Sequence, residues 1–591
     1  MTIDPKAFYN SQILKFQQEL EGLKVKLNTS STLRLLLIAL LAATVYFLWE
    51  NTQQLLVVSL VIIVLFVFLV VRHNGLKYQK DILKALILQN DVELRVLQRN
   101  FHGLPDGNSY KDPAHPFSQD IDLFGKGSFY QYMNRTSLKS GADTLARLLL
   151  SNDIKTIGEK QAAINELSEM PEWRQKFGAV ASLVKTEVSA ESVVQWLKGY
   201  KSFLPKKVRL LSVLFSSISI LSWVFYFLDL LSGYVVFMVF LVGLGITGRY
   251  LKNVGRLAAH TTQAQSTFRQ YAKLISLLET QDFTSVLLRN QRGATIGDSM
   301  KGSKILKQFS KLLDALDQRN NIVIGIVANG FLLRDLFVCK AIEQWIETYR
   351  DSVPRWFDAI AFFDAYNSLG NYAFNHPDHT YPKITTSENT LICKSARHPL
   401  LNPKNAVAND FTIGTSEFFV ITGANMAGKS TFLRTIGLQL LMANVGLPIC
   451  ADTASYTPIK LITSMRTTDS LTDDESYFFS ELKRLKLIIE TIEKEPHFII
   501  LDEILKGTNS TDKATGSKKF IEKLVGLNTS GLIATHDLSL CEVANSLNAV
   551  KNYYFDAQIV NNELFFDYTF KEGVCQNMNA SFLLHKMGIV E

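Results

Sequence analysis

Two kinds of apolar pattern alternate along the 591-residue chain. In some stretches hydrophobic residues return every three or four positions with polar residues between them. In others they run unbroken, and these runs come in two pairs. Leu35 to Trp49 and Leu55 to Val71 flank the polar loop Glu50 to Gln54, and Leu210 to Leu228 and Leu230 to Thr247 flank Asp229, with Ser232-Gly233 as a turn signal. Each run approaches the ~20 apolar residues that cross a bilayer. The pattern therefore predicts two transmembrane helical hairpins, at about 35–71 and about 210–247.

Charge placement gives the hairpins a direction. Lys24, Lys26 and Arg34 precede the first run, and Arg72, Lys77 and Lys80 follow the second. Lys206, Lys207 and Arg209 precede the third, and Arg249, Lys252 and Arg256 follow the fourth. The loops between carry only Glu50 and Asp229. Basic residues stay on the cytoplasmic side, so an integral membrane protein with four transmembrane helices is expected, its N-terminus, middle and C-terminus together in the cytoplasm. The alternative is a pair of buried core hairpins, or a signal peptide for the first run. No small-residue cleavage site follows Trp49.

The periodic stretches divide the remainder. Residues 6–29 and 76–101 show helical spacing, as at Ile82, Leu86, Val92 and Val96, and predict a stalk that carries the first hairpin into the cytoplasm. The stretch from Pro105 to Pro116, rich in Gly, Asp, Asn and Pro, predicts a linker. Helix-like patterns such as Leu306 to Leu316 and Trp345 to Tyr372 dominate as far as about 375, and strand-like apolar runs follow. Three regions result: 1–110 with the first hairpin, an all-α region 111–385 interrupted by the second, and an α/β domain over 386–591. Solenoid repeats and low-complexity tracts are absent from the sequence.

Composition adds little to this. Cys339, Cys393, Cys450, Cys541 and Cys575 lie far apart with no CxxC pair, which argues against a disulfide framework and a cysteine-based zinc site. The net charge of +7 is compatible with nucleic acid or anionic lipid, but many basic residues sit beside the apolar runs, where topology requires them.

The chemistry lies near the C-terminus. Gly423-Ala424-Asn425-Met426-Ala427-Gly428-Lys429-Ser430 follows the strand-like Phe418 to Thr422 and precedes the helix-like Thr431 to Met442. A glycine-bounded loop between strand and helix turns its backbone N–H groups toward phosphates, and the helix dipole favours the same anion. Lys429 is the candidate for the β- and γ-phosphates and Ser430 for Mg²⁺. The apolar run Phe498 to Leu501 ends in Asp502-Glu503, a Walker B pattern in which Asp502 serves the metal and Glu503 the attacking water. A third strand, Gly531 to Thr535, ends at His536, within reach of a γ-phosphate.

These segments together resemble the MutS family of mismatch-repair ATPases, related to the ABC ATPases. Ile421 to Gly437 looks like the family's P-loop, Leu501 to Asp512 like its Walker B segment and following loop, and Ala534-Thr535-His536 like its histidine switch. Asp474 to Leu482 resembles the signature segment, and Arg397-His398-Pro399 the first strand of the domain. More weakly, Gly127 to Tyr130, Asn134 to Gly141 and Glu159 to Ile164 look like the start of the family's core or lever domain. The resemblance implies ATP and Mg²⁺ as cofactors, a homodimer of ATPase domains, nucleotide contacts from Thr431 and Asp512 in addition to the 423–430 loop, and a contact in trans from Ser476. It also offers DNA as a partner beside membrane lipid.

Departures from the family pattern narrow the reading. Residues 1–116 leave no counterpart for the mismatch-recognition and connector domains, no long coiled-coil clamp is evident, and no nuclease-like extension precedes Glu591. Phe129-Tyr130-Gln131 sits in the core-domain motif rather than forming a mismatch-reading wedge. Leu505 and Lys506 replace the usual Gly-Arg, and Val407 stands where the family often places an aromatic face. Two functions are expected to compete: a membrane-anchored MutS-like ATPase acting on mismatched or otherwise structured DNA, and a membrane mechanochemical ATPase that no longer binds DNA. An ABC-type transporter ranks below both.

Overall fold

The computed structural model of the chain describes residues 3–184, 189–296, 300–424, 426–466, 477–560 and 563–576. Asp4 opens the first helix, its carboxylate accepting from the Lys6 and Ala7 N–H groups. That helix, Pro5–Phe47, turns through residues 48–51 into Thr52–Leu97, giving partners of 43 and 46 residues. At 1.5 Å per residue each is about 65–70 Å long. Their most apolar windows are only 11% and 6% buried, so this is not a core hairpin. The second hairpin, Val208–Phe227 and Gly233–Gly248, is likewise outward-facing, and its second helix bends by 64° into Leu251–Thr280. By length and composition, three helices and this bent pair are fit to cross a membrane.

The expected stalk is instead a docked root. Tyr9 donates to Asn375 Oδ1 at 2.6 Å, Gln12 to Glu172 at 3.1 Å, and Gln175 to Asn90 at 2.8 Å. Glu93 is buried between Arg135, at 2.5 Å, and the Asn375 amide, at 2.8 Å. The Asn134 to Gly141 motif explains itself here. Asn134 turns the chain by accepting from Thr136, and Asp364 accepts from the Ser137 and Leu138 N–H groups to cap the helix Lys139–Leu150. Gly141 carries no side chain because a Cβ there would run into the Asp364 carboxylate.

Helix Leu251–Thr280 lies antiparallel to Gly302–Asp317, with Arg269 on Asp314 and Glu279 on Ser303. The helix-like pattern from Trp345 to Tyr372 is divided between two helices, Arg334–Tyr349 and Val353–Asn375, because Pro354 cannot donate within a continuous helix. Trp345 stacks on Phe309 and donates to the Ile305 carbonyl. An eleven-residue apolar helix that the periodicity does not mark out, Ile322–Leu332, packs on the second hairpin.

The predicted linker at 105–116 is packed rather than loose. Tyr110 donates to Asp143, and the Pro116 carbonyl accepts from Thr463 N–H and Arg484. Just beyond it, Asp120 accepts from Thr463, Met465 and Arg466. The Gly, Asp and Asn content reflects tight turns, since Asp106 and Asp112 each accept from an N–H two residues on.

The C-terminal region is α/β. Its six-stranded sheet runs Lys571–Glu572, Val550–Phe555, Phe418–Gly423, Ser530–Ala534, His497–Asp502, Lys460–Ser464, with all pairings parallel except the first. The central strands are buried almost throughout, as parallel strands covered on both faces must be. A four-stranded sheet, Lys383–Ile384, Thr453–Tyr456, Asn389–Ala396 and Asn409–Gly414, stands beside it.

Replacing Glu93 by Ala leaves the largely covered Arg135 guanidinium, 13% exposed, without its carboxylate, at an expected cost of up to about 3 kcal/mol. Asp91→Ala, which removes a half-exposed helical pair with Arg95, is expected to cost under about 1 kcal/mol. Thermal unfolding of both variants in detergent measures the contrast.

Candidate functional site

Parallel strands present their carboxyl ends along one edge, where open α/β sheets hold ligands. Register puts Ile421 and Asp502 on either side of Ala534, so the loops after all three strands meet. Here lies a cavity of about 490 Å³, lined by Ala424, Met426 to Thr435 in part, Asp502, Glu503 and His536 on one side and by Val407, Asn409 and Tyr568 on the other.

The loop after Phe418–Gly423 leads into helix Lys429–Val445. Gly423 and Gly428 have φ of 145° and 103°, conformations that a Cβ would strain. At Gly423 a Cβ would also stand 2.5 Å from the Phe555 carbonyl oxygen, and at Gly428 it would press on the Tyr568 ring at 3.0 Å. The buried Lys429 donates from Nζ to the Gly423 carbonyl at 2.7 Å and the Ala424 carbonyl at 3.0 Å. Burial lowers its pKa, and the Asp502 and Glu503 carboxylates pull the other way.

Ser430 donates to Asp502 Oδ2 at 2.8 Å, placing a hydroxyl and a carboxylate oxygen side by side. Among the described residues no cluster of three or more His, Cys, Asp or Glu could hold a metal by itself. Two oxygens of this kind fit Mg²⁺, which keeps waters and borrows phosphate ligands rather than demanding a full protein cage. Burial pushes the Asp502 carboxyl up, against the pull of the Ser430 hydroxyl and of Lys506.

Glu503 behaves in the opposite way. Its Oε1 lies 3.0 Å from His536 Nε2, and this hydrogen bond, helped by Lys506, holds the carboxyl at about 2. His536 Nε2 also lies 3.4 Å from Lys429 Nζ. A proton on Nε2 serves the nearer carboxylate, so the lysine contact is no hydrogen bond in that tautomer. Two adjacent carboxylates are thus driven apart in pKa, which is how neighbouring acids acquire different roles. The backbone pays a conformational cost here, with Glu503 at φ 47° and Leu505 at φ 59°.

That second value explains a sequence departure. The family's glycine would adopt this conformation without strain, whereas leucine loses about 1–2 kcal/mol. Leu505 is 7% exposed and packs with Ile504, Ile521 and Leu524, and such burial returns about 1.5–3 kcal/mol. Glu481, from helix Tyr477–Ile492, fixes the same turn by accepting from the Leu505 and Lys506 N–H groups at 2.6 and 3.0 Å.

The structure therefore brings Ala424, Met426, Ala427, Gly428, Lys429, Ser430, Thr431, Asp502, Glu503 and His536 to one cavity, with Gly423 at its strand end. It leaves Asp512 outside the cavity lining. That residue is exposed in the first turn of Ser510–Gly526, in a reciprocal cap with Asn509, whose side chain is satisfied locally. Asn425 and Ser476 lie outside the described residues. Sequence reasoning missed Tyr568, whose carbonyl accepts from Asn409 and whose ring supplies the aromatic wall absent at Val407. It also missed Glu481 as a positioning residue. Phe129, Tyr130 and Gln131 are buried, and the Gln131 amide donates to the His102 and Leu104 carbonyls, a wholly internal role.

A parallel sheet with a glycine-bounded loop, a lysine and two carboxylates at its carboxyl edge defines an α/β domain of the anion-cradling class. Residues 419–585 match the family model for MutS domain V, so the similarity to that family lies in the α/β domain. It is 29% identical to "MutS protein homolog 4" of Homo sapiens over 291 residues, 47% of this chain and 30% of that protein. Identity to "DNA mismatch repair protein MutS" is 30% over 243 residues in Thermosipho melanesiensis, 40% of this chain and 29% of that one. In Aquifex pyrophilus it is 35% over 190 residues, 31% and 22% of the two chains. The matched region spans less than a third of each of these relatives.

Because the folded pKa of Glu503, about 2, lies below its ordinary 4.5, its ionised form stabilises the fold. That contribution is complete above the ordinary value and is lost as pH falls toward the folded one. The gap in unfolding midpoint between wild type and Glu503→Gln is expected to stay constant from about pH 8 to about pH 5 and to change only below about pH 4.5. A pH series of melting curves for the two proteins tests this.

Proposed function

We propose that the chain is a membrane-anchored ATPase of MutS type that hydrolyses ATP in the cavity at the carboxyl edge of its six-stranded sheet. The observation that carries this reading is the convergence of Lys429, Ser430, Asp502, Glu503 and His536 from three strand ends. ATP phosphates would lie along the 424–430 loop against the helix N-terminus, with Lys429 exchanging its loop carbonyls for phosphate oxygens. Mg²⁺ would be held by Ser430 and Asp502, and supplies charge neutralisation when bound. Glu503 orients the attacking water, and His536 holds Glu503 ionised and senses the γ-phosphate position. Tyr568 offers a face to the base. Two such domains would pair, with Ser476 reaching across.

The two apolar hairpins would cross the bilayer, with the ATPase domain on the cytoplasmic side, as the flanking basic residues require. Because similar proteins include DNA mismatch repair protein MutS, we infer DNA, mismatched or otherwise structured, as the effector. A second reading, a membrane mechanochemical ATPase without DNA, is favoured by one observation: the long first hairpin is rooted in the core, and its terminal contacts at Tyr9 and Glu93 converge on Asn375.

In phosphatidylcholine proteoliposomes, Glu503→Gln is expected to keep nucleotide binding and to lose roughly 10²–10⁴-fold in turnover, with Lys429→Ala as the blank. Wild-type turnover in that variant would overturn the ATPase mechanism. Stimulation of the wild type by one DNA form, abolished by high salt as counterion release requires, supports the first reading. Turnover indifferent to duplex, mismatched and branched DNA at low salt selects the second.

A further inference from the structure

The apolar helix Ile322–Leu332 belongs to neither hairpin and contains no charged residue. It leaves large side chains outside the protein: Val323 is 71% exposed, and Ile326, Val327 and Leu332 are 41–49% exposed. Its C-terminal end is seated on the second hairpin. Phe331 packs against Trp223 of one hairpin helix and Phe240 of the other, at ring separations of 5.6 and 5.1 Å. Gly243 and Gly330 let the backbones approach so closely that a Cβ on Gly243 would collide with the Gly330 carbonyl. Small residues at a helix contact are how helices pack where no hydrophobic effect drives them together.

The polar groups are arranged for the same surroundings. A break between helices exposes carbonyls and N–H groups that lipid cannot satisfy. Between Leu332 and Arg334 the chain turns at Leu333, φ 46° and fully buried. Ser216 of the hairpin donates to the Leu332 carbonyl at 3.0 Å, and Asn329 accepts from the Asp335 N–H at 2.8 Å. The flanking charges are satisfied by one another or by nearby polar groups: Arg319, before the helix, reaches Asp335, after it, at 3.6 Å, and Arg334 donates to the Ala315 carbonyl and to Gln318. Eleven residues make about 16 Å of helix, half of a hydrocarbon core about 30 Å thick. Such an element can enter a bilayer and cannot cross it.

We propose that Ile322–Leu332 is a re-entrant membrane element whose exposed face is covered by lipid acyl chains beside the second hairpin. The proposal rests on the membrane reading above and adds to it a third apolar insertion. Because the helix is joined by short turns to Gly302–Asp317 on one side and to Arg334–Tyr349 on the other, it ties the helical region to lipid directly, without passing through either hairpin.

Nitroxide labels on Val327→Cys and, as a second position, Val323→Cys test this in full-length protein reconstituted in phosphatidylcholine vesicles. Ile220→Cys on the hairpin serves as the lipid reference, Lys519→Cys on the α/β domain as the water reference, and labelled wild type as the cysteine background. Collision with oxygen and with a water-soluble nickel chelate separates the environments. The expected result is high oxygen and low nickel accessibility at 327 and 323, matching position 220. Nickel accessibility like that of position 519, with position 220 still lipid-like, overturns the re-entrant helix and leaves the membrane reading intact. Low accessibility to both reagents means that protein, such as a second copy, covers the face, and also overturns it. Position 220 open to nickel overturns the membrane reading and this inference together.

Discussion

A buried carboxylate sets the arrangement of this chain. Glu93 sits near the end of an uncommonly long helix, and its two oxygens are divided between Arg135, in the turn that opens the helical region, and Asn375, at the last turn of Val353–Asn375. Tyr9, from the other helix of the same hairpin, shares Asn375. A charge out of water is tolerable only when its partners are fixed, so four separate segments are fixed relative to one another. Asn375 is also the last residue before the chain passes toward the α/β domain. The hairpin root, the helical region and the approach to the α/β domain thus share one junction, and displacement of any one of them strains the other two.

The elements that were legible in the sequence are those with strong local signatures. Unbroken apolar runs announced both hairpins, and glycine bounds, an apolar strand and an acidic pair announced the cavity edge from Gly423 to His536. What was not legible depended on partners distant in sequence. Pro105 to Pro116 has the composition of a linker, yet it is held by Thr463 and Arg484, some 350 residues away, whose contacts no local pattern encodes. The helix Ile322–Leu332 is too short for a span and too uniform for an amphipathic pattern, so periodicity was silent about it.

The same division holds inside the cavity. Residues on the loop and strand ends could be named because their chemistry requires a spacing. Tyr568 could not, since it arrives from the far end of the chain in a left-handed conformation held by Asn409. Glu481 was visible only as a letter in a segment resemblance, and its work is to hold the backbone of Leu505 and Lys506. Asp512 stood close in sequence to Asp502 and Glu503, but a helix N-terminus takes it outward, where Asn509 satisfies it.

The contact of Pro116 with Thr463 has a meaning beyond joining two regions. Lys460–Ser464 is an outermost strand of the six-stranded sheet, and an outermost strand offers hydrogen-bonding groups to any passing chain. Here the Thr463 N–H is consumed by the Pro116 carbonyl, the Thr463 carbonyl accepts from Arg484, and Asp120 takes the N–H groups of Met465 and Arg466 just past the strand. The sheet cannot be lengthened on that side. Growth of one domain onto another by strand addition is closed along this border, so ribbon-like aggregation cannot begin there.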